Sequence, residues 1–192
     1  SDFSLDLGTN EVVGLIGLNG AGKTTFIKTV AGLLNSFRLD DAVWDGHAFS
    51  FRDKDFKKNR YIVFAEDRSF QYFTFQEYLA YVAASYGVQQ PDVAELVKGF
   101  HFEDYTHVLL KELSTGNLKK TYLITAFALR PKLLLLDEPV NGLDFQSTEF
   151  LYQLISGYKE YGTVLFSSHI LESICLTSDR VLVLEQGKIS RI

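Results

Sequence analysis

The chain has 192 residues, which fits one domain, and its 46% hydrophobic and 22% charged residues fit a globular one. A net charge of −5 argues against a nucleic-acid binder, whose domain is usually basic. No purely aliphatic stretch is longer than that of Leu133 to Leu136, which falls far short of the ~18 residues that span a bilayer, and the start carries no signal-peptide pattern.

In chain order, "NEVVGLIG" is a β-branched apolar run that ends in glycine and predicts a buried strand over residues 11–16. "GLNGAGKTT", Gly17 to Thr25, follows it, and a helix is predicted from Lys23 to about Gly32. "LDDAVWDG" and "NRYIVFA" predict two further strands. "TFQEYLAYVAASYG" has apolar residues at helical spacing, with Thr74 as N-cap and Gly87 as stop. Another helix is predicted to begin at Pro91 in "PDVAELVKGF", and a third occupies "TGNLKKTYLITAFALRP", ended by Pro131. The remainder alternates: strand "KLLLLD", helix "QSTEFLYQLISGYKEYG", strand "TVLFSS", helix "ILESICLT", then strand and hairpin in "DRVLVLEQGKIS".

That alternation implies an α/β fold with a mostly parallel sheet covered by helices on both faces. Little strand signal occurs between about 66 and 125, so a helical insertion is expected there, within a core made by about 1–65 and 126–192. Cys175 is the sole cysteine, which excludes an internal disulfide. Its apolar surroundings, "LESICLTSD", predict an inert, packed thiol. The chain starts at Ser1 and contains no Met, so it is not expected to be a complete translation product.

Gly17, Gly20, Gly22, Lys23 and Thr24 fit G-x-x-x-x-G-K-[ST] between a strand and a helix, the context of a phosphate-binding loop. Glycines let successive N–H groups turn inward around an anion, and the helix adds its positive end. Asn19, Gly20, Ala21, Gly22, Lys23, Thr24 and Thr25 are therefore candidate ATP-binding residues. Lys23 would reach the β- and γ-phosphates, and the Thr24 hydroxyl would ligate Mg²⁺. "LLLLDEP" carries Asp137 to the C-terminal edge of an apolar strand, where ligands of open α/β sheets bind. Asp137 is expected to hold Mg²⁺, and Glu138 to act as general base on the attacking water. A plain glycine turn and a solvated acidic turn are the bland readings, and the two motifs together disfavour both.

"LSTGNLKK", Leu113 to Lys120, resembles the LSGGQ signature of ABC-type ATPases. The order of motifs is similar too: phosphate loop, helical insertion, signature, Asp-Glu strand, "NGLD", then a histidine after a strand. The resemblance covers nearly the whole chain and implies a P-loop NTPase, RecA-like fold. It implies two ATP molecules held between two head-to-tail cassettes, with Ser114, Thr115, Gly116 and Asn117 facing the nucleotide of the other subunit. Gly142, Leu143 and Asp144 resemble the loop that communicates across that dimer. His169 resembles the switch histidine on the γ-phosphate, acting with Glu138 and Lys23. His47, His101 and His107 lack any such context and are read as surface or local hydrogen-bonding residues.

The chain also departs from the family pattern. Ala65, Glu66 and Asp67 stand where a glutamine is usual, so Glu66 is the candidate stand-in and Mg²⁺ ligand. Thr115 replaces glycine and Asn117 replaces glutamine in the signature. The aromatic residue that stacks on adenine is expected before Ser1, Phe3 being too close to the loop. The resemblance implies the ATPase subunit of an exporter, partnered by a separate transmembrane permease and a second ATPase subunit, at the cytoplasmic face of the membrane. Phe70, Tyr72 and Phe73 are expected to line the groove that receives the membrane subunit. A soluble regulator of translation or DNA repair is the alternative, and a binding scaffold without hydrolysis is a third reading.

Overall fold

The computed structural model describes residues 4–34 and 41–191. Phe3 and the start of "LDDAVWDG" lie outside the described residues. One sheet is built from β1 (Val12–Ile16), β4 (Arg60–Val63), β5 (Leu133–Leu136), β6 (Thr163–Ser168), β7 (Arg180–Glu185) and β8 (Lys188–Arg191), in the order β4-β5-β6-β1-β7-β8. Every pairing is parallel except the β7–β8 hairpin. Its turn, Gln186 and Gly187, has φ of 49° and 73°, the left-handed pair a two-residue hairpin needs. A mostly parallel sheet and an α/β fold are thus as the sequence predicts.

The central strands are apolar throughout because both faces are covered. Alternate residues feed two cores. Val12, Leu134, Leu136, Val164 and Phe166 pack on one side with α3 (Phe75–Tyr86), α5 (Thr115–Leu129) and α6 (Phe145–Gly157). Val13, Leu15, Leu133, Leu135 and Leu165 pack on the other with α1 (Lys23–Val30) and α2 (Lys54–Asn59). Between β4 and β5 the chain forms α3, α4 (Ala94–Gly99) and α5, as the missing strand signal implied. Helix α3 carries the predicted ends: Thr74 and Glu77 make a reciprocal capping box, and Gly87 closes the helix with φ 69°.

Several expectations are corrected. Helix α4 starts at Ala94 rather than Pro91, because the Asp92 carboxylate accepts the Ala94 N–H at 3.0 Å and ends the turn there. The strand expected in "LDDAVWDG" shrinks to β2 (Val43–Trp44), paired with an unforeseen β3 (His47–Ala48) across Asp45 and Gly46. Helix α2 was also unforeseen; its Phe56 stacks with Trp44, Phe49 and Phe51. Cys175 is exposed, not packed. It lies on the outer side of α7 (Leu171–Thr177), whose buried residues are Ser173 and Ile174.

Because β4, β5, β6 and β1 run parallel and adjacent, the loops after them leave from one edge of the sheet. Those four loops carry Glu66, Asp137 and Glu138, His169, and the glycine-rich stretch.

Candidate active site

The glycine-rich loop takes a path that side chains resist: Gly20 and Gly22 have φ of 81° and 101°. Lys23 opens α1 and is only 7% exposed. Its ammonium donates to the carbonyls of Gly17 (2.7 Å) and Leu18 (3.2 Å) and lies 3.1 Å from Glu138 Oε1. Asn19, Gly20, Gly22, Lys23, Thr24, Thr25 and Glu138 line a cleft of about 340 Å³. Of the predicted loop residues only Ala21 does not line it. Its N–H donates to Leu18 O at 3.1 Å, and its methyl packs against the core.

Asp137 is 1% exposed at the end of β5. Oδ2 accepts from the Thr24 hydroxyl (2.7 Å), and Oδ1 from the Ser167 hydroxyl (2.9 Å). The Ser167 Oγ in turn accepts the Glu138 N–H at 2.9 Å. Glu138 has φ 46°, a left-handed conformation rare for a residue with a Cβ and common where function constrains the backbone. Its Oε2 lies 3.0 Å from His169 Nδ1; a carboxylate only accepts, so Nδ1 carries the hydrogen. Its Oε1 is buried with no hydrogen bond, facing the Lys23 ammonium.

Thr24 and Asp137 form a hydroxyl–carboxylate pair, and both border a second hollow with Lys28, Phe64, Ala65 and Glu66. Oxygen donors of this kind fit Mg²⁺, which takes one or two protein oxygens and completes its shell with water and phosphate. Among the described residues no group of three His, Cys, Asp or Glu side chains is placed to hold a metal. Glu66 is exposed and borders the same hollow.

The signature residues lie elsewhere. Ser114 caps α5 by accepting the Asn117 N–H at 3.2 Å, while Ser114 and Thr115 are exposed. Gly116 abuts the "NGLD" loop so closely that a Cβ would collide with the Gly142 carbonyl oxygen. Asp144 caps α6 through the Ser147 N–H (2.8 Å) and pairs with Lys120 at 2.8 Å. The hydrogen bond from Lys120 holds its carboxyl well below the usual carboxylate range. None of these residues lines the cleft of its own chain. His47, His101 and His107 are exposed, as read.

Three polar residues of this network escape sequence reasoning. Ser167 bridges Asp137 to the Glu138 backbone, Lys120 holds Asp144, and Lys119 donates to the carbonyls of Phe64 (2.8 Å) and Ala65. Burial pushes the Lys119 ammonium down to about 8, against the pull of Asp137, Glu66, Asp67 and Glu138. The available signals were weak: a polar pair ending a buried strand, and two lysines on an otherwise apolar helix.

Comparison with known proteins matches residues 1–141 to the ABC transporter family. The chain belongs to that family. AlbC of Bacillus subtilis (strain 168), named as an ABC transporter ATP-binding protein, is 34% identical over all of this chain and 82% of its own length. EcfA2 of Clostridium perfringens, an energy-coupling factor transporter ATP-binding protein, is 31% identical over 98% of this chain and 70% of its own. The solved structure of an ATP-binding subunit of an ABC transporter superposes with a TM-score of 0.88 at 27% identity, covering this whole chain and 82% of that one. The chain is thus an ATP-binding subunit of an ABC transporter, in a family that hydrolyses ATP. Such subunits dimerise and work with membrane subunits. Among the described residues no helix is long and apolar enough to cross a membrane.

Proposed function

We propose that this chain drives export through a separate transmembrane permease by closing head-to-tail with a second ATPase subunit around ATP, at the cytoplasmic face of the membrane. The observation that carries the chemistry is one carboxylate, Glu138, held between the Lys23 ammonium (3.1 Å) and the His169 imidazole (3.0 Å) at the mouth of the glycine-lined cleft.

Asn19, Gly20, Ala21, Gly22, Thr24 and Thr25 hold the phosphates through backbone amides and hydroxyls at the positive end of α1. Lys23 moves from Glu138 to the β- and γ-phosphates, since both anions compete for one ammonium. That frees Glu138 Oε1 to take a proton from the attacking water. His169 holds the carboxylate and the γ-phosphate edge in place. Thr24 and Asp137 would hold Mg²⁺, with Glu66 beside them, and the ion would offset charge on the transferring phosphoryl group. Ser114, Thr115, Gly116 and Asn117 contact the ATP of the other subunit, and Gly142, Leu143 and Asp144 relay closure between the two sites. The outward direction rests on the wording of "NGAGKTT", "DEPVNGLD" and "SSHILE", similar to exporter cassettes. Helices α3 to α5, about residues 66–125, form the subdomain that meets the permease. There Tyr72 (76% exposed) and Phe70 leave an aromatic surface open just after the loop that carries Glu66, with Phe73 half-buried beneath them against the core.

Glu138→Gln tests the reading. It keeps the shape of the side chain and removes the base. The variant is expected to bind ATP, lose turnover by about 10²-fold or more, and accumulate as dimers in size-exclusion chromatography. Turnover at the unmutated rate would refute the base assignment. A strictly monomeric variant at saturating ATP, with its permease present, would refute the shared site.

A further inference from the structure

We infer that Lys119 is a positioning residue for hydrolysis: it ties the signature helix to the loop bearing Glu66, and its charge offsets that carboxylate beside Asp137. The inference rests on the reading of Glu66 as part of the nucleotide site.

Lys119 sits on the second turn of α5 and is 4% exposed. A buried ammonium is costly unless it is hydrogen-bonded, and this one donates to two backbone carbonyls, Phe64 and Ala65, directly before Glu66. The carboxylates that act on it are Asp137, Glu66, Asp67 and Glu138. One turn further along, the Tyr122 hydroxyl donates to the Ser69 carbonyl at 3.0 Å. Helix α5 therefore grips the loop at both ends, residues 64–65 and residue 69. The helix begins with Ser114 as its cap and Thr115, Gly116 and Asn117 as its first turn. A single rigid element, with Lys119 ~7.5 Å along its axis from Ser114, thus connects the signature to the loop beside Thr24 and Asp137. Any displacement of the signature is transmitted to Glu66 through that ammonium.

The charge argument is separate. Glu66 adds a negative charge to a hollow that already contains Asp137. Lys119, buried against the same loop, supplies the opposing positive charge, screened by water only on the side of the exposed Glu66. A lysine that merely satisfied two carbonyls would do so whatever residue stood at 66.

The test measures steady-state ATPase of the full chain together with amide hydrogen exchange across residues 64–69. Lys119→Met removes both donor and charge. It is expected to lower kcat about tenfold with KM within about twofold, and to speed exchange in the loop. Lys119→Arg is expected to restore both. Lys119→Gln keeps a donor without the charge, so it serves if the methionine variant fails to fold. It should lower kcat, and Glu66→Gln in the same chain should recover most of the loss. Strict multiplication of the Lys119→Gln and Glu66→Gln effects, or kcat within about twofold for every Lys119 variant, overturns the inference. Glu66→Gln alone separates the two readings: a changed kcat with no coupling keeps Glu66 in the site and removes Lys119's role. An unchanged kcat in both backgrounds removes Glu66, and the inference with it.

Discussion

The glycine-lined cleft and the signature turn are built in opposite ways. In the cleft, Lys23, Thr24, Asp137, Glu138, Ser167 and His169 come from three strand ends and interlock through side chains. Ser114 and Thr115, by contrast, are exposed, and the turn they start is braced from behind by Gly142 and Asp144 rather than aimed into the cleft. The difference teaches that the cleft is assembled within one chain, whereas that chain presents its signature outward. Damage to the cleft should appear in a single chain, whereas damage to the signature should appear only when two chains meet.

Lys23→Ala is the strongest attempt to break that contrast. It removes the ammonium that would meet the phosphates and leaves a buried Glu138 without its cation, a loss of about 3–5 kcal/mol when one member of a buried pair is deleted. Calorimetry of the monomer should show ATP affinity falling by more than about tenfold. Affinity within about twofold of the parent would remove Lys23 from the phosphate site.

Ser167→Ala should act more gently and only on chemistry. It deletes the hydroxyl that joins Asp137 Oδ1 to the Glu138 N–H, two buried hydrogen bonds worth about 1 kcal/mol each. With φ 46° no longer braced, Glu138 should lose its aim. The expected result is about a tenfold or larger drop in kcat with ATP affinity of the monomer little changed. A drop in affinity equal to that in kcat would mean that Ser167 supports the cleft as a whole.

Gly116→Ala carries the contrast to the other region. The added methyl meets the Gly142 carbonyl, so the turn and the "NGLD" loop must separate. The monomer's ATP affinity should stay within about twofold, while ATP-dependent dimerisation of the Glu138→Gln background weakens by about tenfold. Equal dimerisation of Gly116→Ala and its parent would show that the outward turn has no trans role.

The cleft was legible because its residues are close in sequence and their types are unusual. Three glycines before Lys-Thr suit a bound phosphate and little else, and Asp-Glu after four leucines sets two charges at the end of a buried strand. The braces were illegible because they are long-range and chemically ordinary. Ser167 reaches Asp137 across 30 positions, and Lys119 reaches Ala65 across 54. A serine at the end of a strand or a lysine on a helix says nothing of such partners. The short β2–β3 hairpin and α2 were missed for a different reason. Their stability comes from Phe56 packing on Trp44, Phe49 and Phe51, not from local pattern. Cys175 was misjudged because a single step along an amphipathic helix separates buried Ile174 from its exposed neighbour.

The smallest effect concerns Asp144, which both caps α6 and neutralises Lys120. Lys120 is 6% exposed at its side chain and Asp144 54%, so solvent screens the pair and its worth is about 0.2–1 kcal/mol, with the cap adding about 1 kcal/mol. The folded Asp144 carboxyl titrates below its unfolded value. Its stabilisation is therefore fully present above the unfolded carboxylate range and is lost as the pH falls through the folded one. Asparagine caps as well as aspartate but carries no charge. Asp144→Asn should thus cost less than Asp144→Ala at pH 7 in urea titrations. The gap between Asp144→Asn and the parent should narrow at pH 3 and close below that, while the gap between the two variants stays constant. If both variants were equally unstable at pH 7, the cap would be irrelevant; if the parent's advantage over Asp144→Asn did not shrink in acid, the Lys120 pair would be irrelevant. Either outcome would also weaken the view that the "NGLD" loop is held from within its own chain, and would leave only the Gly116 contact to orient the signature.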